Sequence, residues 1–88
     1  MRLTLLIEND KGLHARASAK FVETVERFDA TALVSRDGMD VSGDSIMGLM
    51  MLAAAKGTTI DIVVEGAESE ALAAALQSLV SGRFGEPS

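Results

Sequence analysis

The sequence predicts an α+β fold in two layers, with the element order β-α-β-β-α-β-α. Three observations carry that prediction. Runs with the two-residue alternation of strands exchange along the chain with runs carrying the three-to-four-residue spacing of amphipathic helices. The pair Asp37-Gly38 joins two alternating runs directly and so makes them antiparallel neighbours. A chain of 88 residues has room for one domain, 1–88, in which helices gather on one face of a mostly antiparallel sheet.

Strand one is expected over Arg2 to Glu8, with Leu3, Leu5 and Ile7 on one side and Thr4, Leu6 and Glu8 on the other. Asn9-Asp10-Lys11-Gly12 is turn-forming composition. Helix one then runs from Ala15 to Arg27, its apolar stripe being Phe21, Val22, Val25 and Phe28. Glu23 and Glu26 form a solvated face, and Lys20, one turn from Arg16, is placed to reach an acidic partner. Thr31 to Arg36 and Met39 to Ser42 are strands two and three, broken off by Gly43-Asp44.

Helix two is expected over Ser45 to Ala55, capped by Ser45 or Asp44 and stopped at Gly57. Ile46, Met47, Leu49, Met50, Met51 and Leu52 exceed what one face of a short helix can bury. Leu49 and Leu52 are assigned to the core, and some of Ile46, Met47 and Met50 to an exposed, adaptable docking patch. Strand four is Thr58 to Glu65, with Ile60, Ile62 and Val64 facing in and Val63 an apolar exception facing out. Helix three spans Glu68 to Ser81 and buries Leu72, Leu76, Leu79 and Val80. Gly82 ends it, and Arg83 to Ser88 reads as a frayed tail.

Composition removes several function classes. A net charge of −5 and the lack of a basic patch argue against nucleic acid. With no cysteine and a single histidine, neither a disulfide framework nor a metal site is expected, and nothing points to a cofactor. No apolar run reaches membrane-spanning length and no signal peptide is evident, so the expectation is a soluble cytoplasmic protein without membrane insertion.

That single histidine, His14, stands where the first strand gives way to the first helix. A helix start offers unpaired N–H groups and the positive end of the helix dipole, both of which favour an anion. Arg16 adds a permanent charge with donors matched to phosphate oxygens. Gly12 permits a positive φ or a close backbone approach, and a neutral imidazole nitrogen is a nucleophile. By spacing alone, Gly-x-His-x-Arg is a weak pattern that favours an ordinary loop histidine beside a solvated arginine, and the residues give an anion site at a helix start and no more.

Asp10-Lys11-Gly12-Leu13-His14-Ala15-Arg16, continuing through Ala17-Ser18-Ala19-Lys20-Phe21-Val22, resembles the active-site segment of the histidine-containing phosphocarrier (HPr) family of the bacterial phosphotransferase system, nitrogen-branch relatives included. Ser45 to Leu52 resembles that family's regulatory-serine segment, and the two segments have the family's separation. The resemblance spans essentially the whole chain. It implies an open-faced sandwich with a four-stranded antiparallel sheet in the order 1-4-2-3 and three helices on one face. It implies that His14 takes a phosphoryl group on Nδ1 from Enzyme I and passes it to a histidine of an EIIA-type acceptor, as a carrier without turnover of its own.

Within that reading Arg16 assists His14, and Gly12, Ala15 and Ala17 shape the phosphate-supporting loop and helix start. Ala19, Lys20, Ile46, Met47 and Met50 form the partner interface, and Ser45 is a regulatory phosphorylation site for an HPr kinase/phosphorylase. Many relatives have proline after the arginine, where this chain has Ala17, which bears on the rigidity of the site. A single HPr-like domain of this kind is expected to act as a monomer. The alternative function is a regulatory adaptor of the nitrogen-related branch, acting by phosphorylation-dependent binding.

Overall fold

A computed structural model describes residues 1–88. Its elements are β1 (Arg2–Leu6), α1 (Ala15–Glu26), β2 (Thr31–Arg36), β3 (Met39–Ser42), α2 (Ile46–Met51), β4 (Thr59–Glu65) and α3 (Ser69–Ser81), followed by a 3₁₀ turn at Arg83–Gly85. The four strands form one sheet in the order β1-β4-β2-β3, with every neighbouring pair antiparallel.

Alternation sets the two faces of the sheet. Leu5, Ala32, Val34, Ile60, Ile62 and Val64 are buried beneath the helices. On the open face Leu33 pairs with Val63 across β2 and β4, and Thr4 Oγ1 donates to Asp61 Oδ1 at 2.6 Å. The β2–β3 hairpin turns at Asp37 and Gly38 with φ of 50° and 79°, the paired positive values of a two-residue turn that follows strand twist.

Helix faces complete the core. α1 contributes Ala17, Phe21, Val22 and Val25, and α3 contributes Leu72, Ala73, Leu76 and Val80. Leu49 and Leu52 are buried as expected, while Ile46, Met47, Met50 and also Met51 are exposed.

Three expectations need correction. Strand β1 stops at Leu6, two residues short of Glu8. Helix α2 stops at Met51 and not at Ala55: Ala53 takes a left-handed φ of 51°, which a continuing helix cannot contain. The chain leaves the helix there because the Ala54 carbonyl is needed elsewhere, accepting from Leu13 N at 2.9 Å. The largest correction concerns the tail. Residues 83–86 are not frayed: Phe84 is completely buried in the core, and Lys20 Nζ donates to its carbonyl at 2.6 Å.

Candidate functional site

His14 is the N-cap residue of α1, with extended backbone and no capping bond from its own side chain. The first bond of the helix runs from Ser18 N to His14 O at 2.8 Å. The N–H groups of Ala15, Arg16 and Ala17 are therefore left without helical acceptors, as the geometry of a helix start requires. Ala15 and Arg16 are exposed, whereas Ala17 is fully buried and packs the helix start onto the core.

The preceding loop is held from several directions. Leu13 is buried and its N–H is taken by the Ala54 carbonyl, while Ser18 Oγ donates to the Leu13 carbonyl at 3.2 Å. Gly12 has φ +66°, and a β-carbon there would lie 2.5 Å from Ala54 O. Only glycine fits between these two backbones. The loop bearing His14 thus rests on the stretch that leaves α2.

The imidazole is partly exposed, and its Nε2 lies 2.5 Å from Glu86 Oε2. Asn9, wholly buried, uses its amide group twice: Nδ2 donates to Gly12 O at 2.8 Å and to Glu86 Oε1 at 3.0 Å. The hydrogen bond from His14 is the chief cause holding the Glu86 carboxyl below its ordinary value, helped by Asn9 and opposed by partial burial. A carboxylate accepts only, so the contact assigns a proton to Nε2; in the neutral ring the lone pair then belongs to Nδ1.

A polar cleft of about 300 Å³ opens beside the ring, lined by Asp10, Lys11, His14, Arg16, Glu86, Pro87 and Ser88. Arg16 enters no ion pair; those between permanently charged side chains are Arg36–Asp37 and Lys56–Asp10. Asp10 is engaged by Lys56 at 2.9 Å, which lowers its carboxyl pKa. An anion at this helix start would meet free N–H groups and an uncommitted guanidinium, next to a ring nitrogen carrying a lone pair.

The structure therefore brings His14, Arg16, Gly12, Ala15 and Ala17 together. Ala19 is half-buried on the same helix, and Lys20 is committed to the Phe84 carbonyl, not free on the surface. Ser45 is the N-cap of α2, its Oγ accepting from Gly48 N at 3.0 Å. Sequence reasoning missed Asn9 and Glu86. The available signal was Phe84: a large aromatic just past a helix, in a chain with only three phenylalanines, is a candidate anchor, and it carries Glu86 to the ring.

An open-faced α+β sandwich that presents one histidine at a helix start, beside a free arginine, is the architecture of a small phosphohistidine carrier. Comparison with known proteins agrees. Residues 1–82 match the family model described as the PTS HPr component phosphorylation site. A phosphocarrier protein HPr of Neisseria meningitidis is 46% identical over 86 residues, covering 98% of this chain and 97% of that protein. One from Xylella fastidiosa is 42% identical over 82 residues, covering 93% and 92%. The crystal structure of HPr-C-His from Thermoanaerobacter tengcongensis superposes with a TM-score of 0.94 at 36% identity, covering 100% of this chain and 99% of that one. The chain belongs to the HPr family of phosphotransferase-system phosphocarriers.

Proposed function

We propose that residues 1–88 act as one HPr-like domain in which His14 accepts a phosphoryl group from phosphorylated Enzyme I and delivers it to a histidine of an EIIA-type acceptor. The observation that carries this reading is the pairing of a committed Nε2 with an uncommitted Nδ1 at the start of α1, beside the free guanidinium of Arg16. Nδ1 attacks phosphorus as the donor's N–P bond breaks. Arg16 and the N–H groups of Ala15, Arg16 and Ala17 then neutralise the phosphoryl oxygens. Onward transfer reverses the step on the acceptor. Nothing in this sequence of events requires turnover of a substrate by the chain itself.

The exposed side chains of Ile46, Met47 and Met50 supply a deformable apolar docking face, with Ala19 of α1 part of the same interface. Ser45 is proposed as a second modification site. Its oxygen already accepts from Gly48 N, and a phosphate there would sit at a helix start while adding charge next to the docking face. Those apolar side chains also suit the second reading, a nitrogen-branch adaptor that binds targets according to its phosphorylation state. The proposed place of action is the cytoplasm; no helix is long and apolar enough to cross a membrane.

The test is incubation with Enzyme I and phosphoenolpyruvate, followed by intact-mass measurement before and after acid. The expected result is one acid-labile phosphoryl group per chain, absent from a folded His14→Ala variant. Failure of the wild-type protein to take up phosphate would overturn the reading. Draining of the phosphate by sugar-branch or nitrogen-branch acceptors separates the two functions.

A further inference from the structure

The stretch after α3 is fastened more firmly than a connection to solvent requires. Arg83, Phe84 and Gly85 take φ of 58°, 56° and 78° in succession, and the first two are not glycine. Such backbone is unfavourable for side-chain-bearing residues and persists only where the surroundings hold it. Here the buried Phe84 ring and the Lys20 bond to its carbonyl do so. The result is that the two oxygens of Glu86 are assigned separately, Oε1 to Asn9 and Oε2 to His14.

Asn9 shows which way this arrangement was built. Its Oδ1 is buried with no partner, a costly condition for an acceptor. Turning the amide over would point an acceptor at the Gly12 carbonyl and at Glu86, both acceptors themselves. The amide orientation is therefore dictated by its two acceptors, and the position of Glu86 Oε1 must be filled by an oxygen.

We propose that Glu86 is a positioning residue for His14: carried by the Phe84 anchor and oriented by Asn9, its carboxylate keeps the ring proton on Nε2 so that Nδ1 is the nucleophile. The inference rests on the phosphocarrier reading for its consequence and on the ring contact alone for its geometry. In the transfer step the Nδ1 lone pair forms the new N–P bond. The donor's N–P bond breaks and its electron pair returns to the donor nitrogen. The proton stays on Nε2, so the phosphorylated ring is cationic, and the adjacent carboxylate balances that charge. Onward transfer returns the pair to Nδ1 and restores the same tautomer without moving a proton.

This makes an unusual ordering of variants. In Glu86→Ala the ring loses its partner, and both neutral tautomers become accessible. In Glu86→Gln the amide oxygen must face Asn9, which turns the amide NH₂ toward His14. That donor requires an acceptor at Nε2 and drives the proton onto Nδ1. The closer substitution should therefore be the more harmful one, the reverse of what a packing role would give.

The experiment is nitrogen NMR of the isotope-labelled His14 ring in wild type, Glu86→Ala and Glu86→Gln, with initial rates of phosphoryl uptake from Enzyme I charged by phosphoenolpyruvate. The expected result is a protonated Nε2 in wild type and a protonated Nδ1 in Glu86→Gln. The uptake rate should fall about 10-fold in Glu86→Ala, the scale seen when the partner of a ligating histidine's other nitrogen is removed, and further in Glu86→Gln. A proton on Nε2 in all three proteins, or a Glu86→Gln variant as fast as wild type, would overturn the proposal. The ring signals need no partner protein. A wild-type chain with its Nε2 proton in place that takes up no phosphate would instead refute the phosphocarrier reading.

Discussion

Replacing Phe84 with alanine tests whether residues 83–86 are part of the fold. The ring is completely buried and belongs to the same core as Phe21, Leu72 and Leu76. Truncating a buried phenylalanine typically costs about 3–5 kcal/mol through lost transfer energy and the cavity left behind. Alanine keeps a β-carbon at the same positive φ, so the backbone strain is not relieved by the change. With an unfolding entropy of about 2.1 cal/mol/K per residue, 88 residues lose about 5 °C of melting temperature per kcal/mol. The expected drop in Tm is then about 15–25 °C, read by circular dichroism at a fixed protein concentration. Glu86→Ala added to this background should cost almost nothing further, because the carboxylate can no longer be held at the ring; such non-additivity is the mark of two residues acting through one contact. A Phe84→Ala protein melting within about 5 °C of wild type would show that the anchor is not part of the core and would refute the reasoning.

Other consequences are as direct. Gly12→Ala forces a left-handed alanine and a β-carbon against the Ala54 carbonyl, and should cost about 1–3 kcal/mol or more by urea denaturation; Gly38→Ala, also at positive φ but in open space, should cost less. Ser45→Ala removes the cap from Gly48 N and should lower stability by about 1 kcal/mol, measured by the same titration. Acid should release the Glu86 contact in a defined sense. Because the folded carboxyl lies below its ordinary value, its stabilisation is complete above the unfolded value and is lost as pH falls through the lowered folded one, a transition to be followed by the Phe84 ring resonances.

Where local pattern and tertiary need agreed, the sequence was easily read. The alternation of Ile60, Ile62 and Val64 and the Asp37-Gly38 turn leave few options: β2 and β3 fall where expected, and β4 begins within one residue of its expected start. His14 at a helix start followed from the turn composition before it. The strand order did not follow from periodicity, since β1 pairs with β4 across more than fifty residues and no local signal records that choice; family resemblance supplied it. Ala53-Ala54-Ala55 shows propensity overruled: three good helix formers leave the helix because Leu13 needs the Ala54 carbonyl. Glu86 was invisible for a similar reason. A lone carboxylate among polar residues carries no pattern, and its role exists only once Phe84 has docked.

The contact between His14 and Glu86 joins residues 72 positions apart, and the loop before His14 is held by Ala54 from across the chain. Contacts of that span carry the entropy of closing a long loop, which slows the folding of a chain that depends on them. A collapsing chain can build α1 and expose its histidine early, yet that histidine lacks the carboxylate that selects its nucleophilic nitrogen. On the phosphocarrier reading, the rate of phosphoryl uptake at His14 is thereby tied to completion of folding, a chain that lacks the Glu86 contact being expected to react about 10-fold more slowly.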